Sequence, residues 1–160
     1  MRSILPLAVL AALSLTVAAA SAQSVKHIQS STPGGIATGV WVGDTLHLSG
    51  QLPSPARAAD RATGAAAVWG TTTEQANNCF QKIQALLKEQ GLGMGDVVMM
   101  RVYMVGPDGR LDFAGMNAAY NKYFGTAEQP NKPARTTVQV AALVTPGALL
   151  EVEVQAARNR

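Results

Sequence analysis

The sequence predicts a single α+β domain, one β-sheet with two helices packed on one face, and three observations carry that expectation. The segments between residues 39 and 157 run strands, helix, strand, helix, two strands. The two helical segments are amphipathic on one side only, so both must bury a stripe against the same partner layer. One strand is apolar almost without interruption, which suits a central position in a sheet.

The elements follow in chain order. The first residues read as an address: Arg2, the apolar run "ILPLAVLAALSLTVAAA" and the small residues "ASA" at 20–22 make a secretory signal peptide over 1–22, cut after Ala22. The run falls short of the ~20 apolar residues that a spanning helix needs. A periplasmic or secreted protein of residues 23–160 is expected, long enough for one domain. Residues 23–38, polar and punctuated by Gly and Pro, read as a flexible lead-in. "GVWVGDTLHLSG" reads as a hairpin, Val40–Val42 against Thr45–Ser49, with Gly43 at the first central position of a type II′ turn. The Ala-rich stretch 53–70 reads as a loop with a short strand near Ala66–Val68.

Thr71 and Glu74 form a capping-box pattern before Ala76, Phe80, Ile83, Leu86 and Leu87, and Gly91 supplies a stop. "DVVMMRVYMV" at 96–105 is the central strand. Phe113, Met116, Tyr120 and Phe124 outline a second helix ending near Gly125. Two strands close the chain, Ala134–Leu143 and Ala148–Ala156, joined by a turn at "VTPG".

Composition excludes several function classes. Lys and Arg number 13 against 10 Asp and Glu, for a formal charge of +3. The basic residues are scattered and aromatics are 5% of the chain, so no nucleic-acid partner is indicated. The single cysteine, Cys79, cannot form an internal disulfide and lies beside Phe80 with no basic neighbour to activate it. His27 and His47 have no second ligand at metal spacing. "GLGMGD" at 91–96 follows a helix and enters a strand, the reverse of a phosphate loop.

The candidates for chemistry are Arg135, which opens the strand "PARTTVQV", and Glu151. Alternation puts Arg135, Thr137 and Gln139 on one face. If the last two strands are antiparallel neighbours, Arg135 and Glu151 share the sheet's outer face, either as a cross-strand ion pair or as an anion clamp. A polar outer face on so small a domain points to burial against a partner copy.

At these residues the chain resembles the RidA/YjgF family of enamine and imine deaminases. The segments "LHLSGQLP", "GTTTEQANNCFQKIQALL", "DVVMMRVYMV", "DFAGMNAAYNKYF", "PARTTVQVAAL" and "LLEVEVQAA" occur in the family's order over about 39–157. The resemblance implies a chorismate-mutase-like fold with a single mixed β-sheet, a homotrimer with sites between subunits, and cofactor-free hydrolysis of 2-imino acids or enamines such as 2-aminoacrylate to 2-keto acids and ammonia. By position, Arg135 matches the arginine that holds the substrate carboxylate and Glu151 the glutamate that orients water. Ser49, Gly50, Asn117 and Thr137 match pocket residues. The "VTPG" turn is one residue longer than usual, which leaves Glu153 as a competing match for Glu151. The family's tyrosine falls at about Ile36, its frequent cysteine is Thr137, and the 53–70 loop is unlike its usual sequence. A non-catalytic binding protein for small carboxylates or keto acids is the alternative reading; no exposed apolar segment favours a chaperone-like role.

Overall fold

The computed structural model describes residues 23–158; the expected signal peptide lies outside the described residues. Six strands and two helices form the domain: β1 (Val25–Ile28), β2 (Gly39–Val42), β3 (Thr45–Leu48), α1 (Thr72–Glu89), β4 (Val97–Met104), α2 (Phe113–Tyr120), β5 (Ala134–Gln139) and β6 (Leu150–Ala157). The sheet order is β1-β2-β3-β6-β4-β5, with every pair antiparallel except β4 and β5. The sheet is therefore mixed, and α2 is the crossover that a parallel β4–β5 pair requires. Likewise β3 and β4 flank β6 and are both antiparallel to it, with α1 crossing between them.

Local chemistry accounts for most boundaries. The Thr71 side chain accepts from Glu74 N–H while the Glu74 carboxylate accepts from Thr71 N–H, closing the reciprocal cap of α1. At its other end Gly91 has φ +72°, and the bonds Leu92 N–H to Leu87 O and Gly91 N–H to Lys88 O complete a Schellman stop. Between β2 and β3, Gly43 has φ +59° while Asp44 is not left-handed, which selects the type II′ hairpin over type I′.

Both helices cover one face. Phe80, Ile83 and Leu87 of α1 and Met116 and Ala119 of α2 are fully buried with Met100, Val102, Met104, Leu150, Val152 and Val154 of the central strands. Phe80 meets the rings of Tyr120, Tyr123 and Phe124 at centroid distances of 6.4, 5.3 and 6.2 Å, tying α1 to α2.

Several boundaries differ from the sequence reading. Val25–Ile28, assigned to the lead-in, pairs along β2 as an exposed edge strand, and exposure of nearly every residue erased the alternation that would have marked it. Ala66–Val68 is no strand: the loop's backbone pairs only in isolated bridges, Arg57 to Val68 and Asp60 to Ala65. Helix α2 stops at Tyr120, because Lys122 N–H turns back to Ala119 O and Tyr123 N–H to Tyr120 O in a tighter coil, yet Phe124 stays buried. Asp96 belongs to the turn before β4, where its carboxylate accepts from Gly93 N–H at 2.7 Å. β5 ends at Gln139, four residues early, and β6 begins at Leu150.

Candidate active site

β5 is the sheet's edge, and Arg135 stands there in register with Met100. Met100 is fully buried beneath the helices, so Arg135 and Thr137, the partner of Val102, point to the helix side. The Arg135 guanidinium lies 4.3 Å from the centre of the Tyr120 ring and 5.6 Å from that of Phe113, and Nη1 is 3.9 Å from Met116 Sδ. Residues 113, 116 and 120 fall on one face of α2, and Asn117, half-buried, lies on the same side. The aromatic faces hold the cation without occupying its fork, which only the weak acceptor Met116 Sδ engages among the described residues. Among the described residues no ion pair engages Arg135, so no carboxylate there neutralises it. Burial pushes the Tyr120 phenol above its ordinary value, opposed by the nearby Arg135 charge. Thr137 Oγ1, two residues along the same face, is buried with no hydrogen-bond partner.

Glu151 sits in register with Tyr103. Its neighbours Leu150 and Val152 are fully buried on the helix side, so Glu151 projects to the other face of the sheet. No hydrogen bond or ion pair engages its carboxylate among the described residues. A Cβ built on Gly50 would collide with Glu151 Oε1, so glycine at 50 leaves the room that the carboxylate fills. Glu153, the competing match, is occupied: it bonds Arg101 Nη1 at 2.7 Å and accepts from the Tyr103 hydroxyl at 3.4 Å. Ser49 donates its hydroxyl proton to Ala37 O at 2.6 Å, pinning the segment that carries Ile36 to the end of β3. Ile36 itself is 75% exposed.

The expected geometry for the two charged residues does not hold. β5 and β6 are not neighbours; β4 lies between them, and Arg135 and Glu151 face opposite sides of the sheet. Within one chain they form neither an ion pair nor a clamp. The chain presents two half-sites. One is an unneutralised arginine on an aromatic platform with an unpartnered hydroxyl nearby, and the other is a free carboxylate beside a glycine.

The spacing 113, 116, 120 is visible in the sequence but does not reveal Tyr120 and Phe113 as the platform of Arg135, because core packing produces the same pattern. Among the described residues no group of three or more His, Cys, Asp or Glu could hold a metal ion, and His27 and His47 are both exposed. Cys79 is fully buried, and burial pushes its thiol up to about 12, where it is inert.

Comparison with known proteins gives concordant results. The family model described as endoribonuclease L-PSP matches residues 31–158. A RutC family protein of Pyrococcus abyssi is 37% identical over 102 residues, covering 64% of this chain and 70% of that protein. A 2-iminobutanoate/2-iminopropanoate deaminase of Salmonella typhimurium is 34% identical over 105 residues, covering 66% and 73%. The crystal structure of a YjgF family protein of Neisseria meningitidis superposes with a TM-score of 0.66, covering 87% of this chain and 98% of that one at 22% identity, a likeness of fold.

Proposed function

The chain belongs to the endoribonuclease L-PSP family, the YjgF/RidA group, and from that premise we propose that it is an exported homotrimeric deaminase that hydrolyses 2-imino acids to 2-keto acids and ammonia. The observation that carries this reading is the Arg135 guanidinium, held at 4.3 Å over Tyr120 with no carboxylate among the described residues to neutralise it. A planar fork left open in this way matches the carboxylate of an imino acid in two parallel charge-assisted bonds.

Because the free Glu151 carboxylate faces the other side of the sheet, the reaction needs Arg135 of one subunit and Glu151 of another. In that cleft Glu151 accepts a proton from water as the water oxygen bonds to the iminium carbon, and the C=N π pair moves to nitrogen. The carbinolamine then collapses: protonated Glu151 returns its proton to the nitrogen, the C–N bond breaks to release ammonia, and the hydroxyl gives its proton back to the Glu151 carboxylate, and from there to solvent, as its oxygen forms the C=O bond. Enamine substrates enter after protonation at carbon. Orientation of water and substrate supplies much of the rate gain. Thr137 Oγ1 and Asn117 border the Arg135 side of the cleft, and Ser49 and Gly50 border the Glu151 side.

The test is to generate an imino acid with an amino-acid oxidase and trap what persists with semicarbazide. Purified protein lowers the trapped imine and Arg135→Ala does not; equal hydrolysis by Arg135→Ala removes the carboxylate-binding role. A binding protein without turnover is the second reading, favoured by Ile36 standing where a tyrosine hydroxyl is expected. It predicts unchanged trapping with retained keto-acid binding. Mature protein from the periplasm should begin at Gln23.

A further inference from the structure

A cavity of about 290 Å³ opens beside Glu151, lined by Tyr103, Val140, Ala142, Leu143, Val144 and Glu151. Its size is near the lower end of the range for small-molecule pockets, about 300 to 1,000 Å³, which suits one amino-acid-sized molecule. Glu151 is the only charged residue in its wall, and the chain carries no charged side chain anywhere from 136 to 150. Val144, an apolar side chain at the rim of the site, is 86% exposed in the single chain. The cavity floor is the Tyr103–Glu151 cross-strand pair, whose phenol is drawn toward Glu153 and leaves the ring to face the space.

We propose that this cavity receives the substrate's side chain, and that the preferred substrates are imines of large aliphatic amino acids, of leucine or methionine size, rather than the small imines of alanine or serine. The inference rests on the proposed deaminase reading for its chemistry and adds the substrate class. With Glu151 at the mouth, the water it orients sits at the imine carbon while the chain beyond that carbon lies against Leu143 and Val144. Every methylene placed there leaves water for an apolar wall. Acidic side chains meet the Glu151 charge and are disfavoured.

The experiment compares kcat/KM for imines generated from leucine, methionine, alanine and aspartate, with calorimetric binding of 4-methyl-2-oxopentanoate and pyruvate as a readout independent of turnover. Expected is a leucine-over-alanine ratio of at least about tenfold. Val144→Asp should collapse that ratio by lowering kcat/KM for the leucine-derived imine at least about tenfold, and Ala141→Asp, a charge on the same loop outside the cavity, should preserve it. Equal kcat/KM for leucine- and alanine-derived imines overturns the inference and leaves the deaminase reading standing. No turnover of any imine, with the branched keto acid bound at least about tenfold more tightly than pyruvate, overturns the deaminase reading and sustains the cavity's role. No turnover and no difference in keto-acid binding overturns both.

Discussion

Arg135 and Glu151 stand on opposite faces of one sheet, two strands apart, with β4 between the strands that carry them. A reaction that uses both must draw them from different copies of the chain. Mixing inactive Arg135→Ala subunits with inactive Glu151→Gln subunits under conditions that exchange protomers is therefore expected to restore activity. In a closed ring with one site per interface, random mixing gives roughly a quarter of the sites both native residues. Absence of any recovery in demonstrably mixed oligomers would place the site within one subunit.

The two glutamates of "EVEV" are expected to behave differently. Glu151→Gln removes the acceptor for water's proton and should lower kcat by roughly 100-fold to 10,000-fold with little change in Tm. Glu153→Gln breaks a half-exposed ion pair, of the kind worth about 0 to 1 kcal/mol, with side chains 39% and 32% exposed. Its kcat should stay within a few-fold of wild type, as steady-state rates would reveal.

Arg135→Ala should reduce kcat/KM by about 100-fold or more, since two charge-assisted bonds are lost. Arg135→Lys keeps the charge but not the fork and should recover only part. The platform is tested at Tyr120: Tyr120→Leu removes about 0.5 to 2 kcal/mol of cation–π attraction, so KM should rise several-fold with a smaller effect on kcat. Tyr120→Phe keeps the ring and should restore the wild-type KM, which a purely structural loss of the hydroxyl would not allow.

The Cys79 thiol supplies a pH signature. Its folded value is raised by burial to about 12 from an ordinary 9.0, so only the unfolded chain releases the proton between those values. The stabilisation is complete below pH 9 and is lost progressively as pH rises toward 12. Chemical denaturation at pH 8 and pH 10.5 should show lower stability at the higher pH, and Cys79→Ala should lessen that difference. The native thiol should also resist aromatic disulfide reagents until the protein unfolds.

Much of the fold was legible in the chain because it is set by neighbours in sequence. The Thr71–Glu74 cap, the Gly91 stop and the Gly43 turn each act over a few residues, and their patterns survive in the sequence unchanged. The apolar run of β4, broken only by Arg101, reported a place inside the sheet, where β6 and β5 flank it and alternate residues are buried beneath the helices. The ends of β5 and α2 were less legible, since a strand stops where its partner stops and a helix where the core's curvature turns the chain. β1 carried no pattern because almost nothing covers it.

The candidate site divides along the same line. That Arg135 and Glu151 are residues to follow, and that Gly50 lines a pocket, could be read from order and resemblance; that Gly50 lies against the Glu151 carboxylate could not. Which of Glu151 and Glu153 is free could not, because that depends on Arg101 arriving across the β4–β6 pair at 2.7 Å. Nor could the separation of Arg135 from Glu151. Two consecutive strands joined by a short turn look like a hairpin in sequence, but the α2 crossover returns β5 parallel to β4 at the sheet's edge and sends β6 to β4's other side. Side-chain direction follows from strand pairing, and strand pairing is a long-range choice made by packing both helices on a single face.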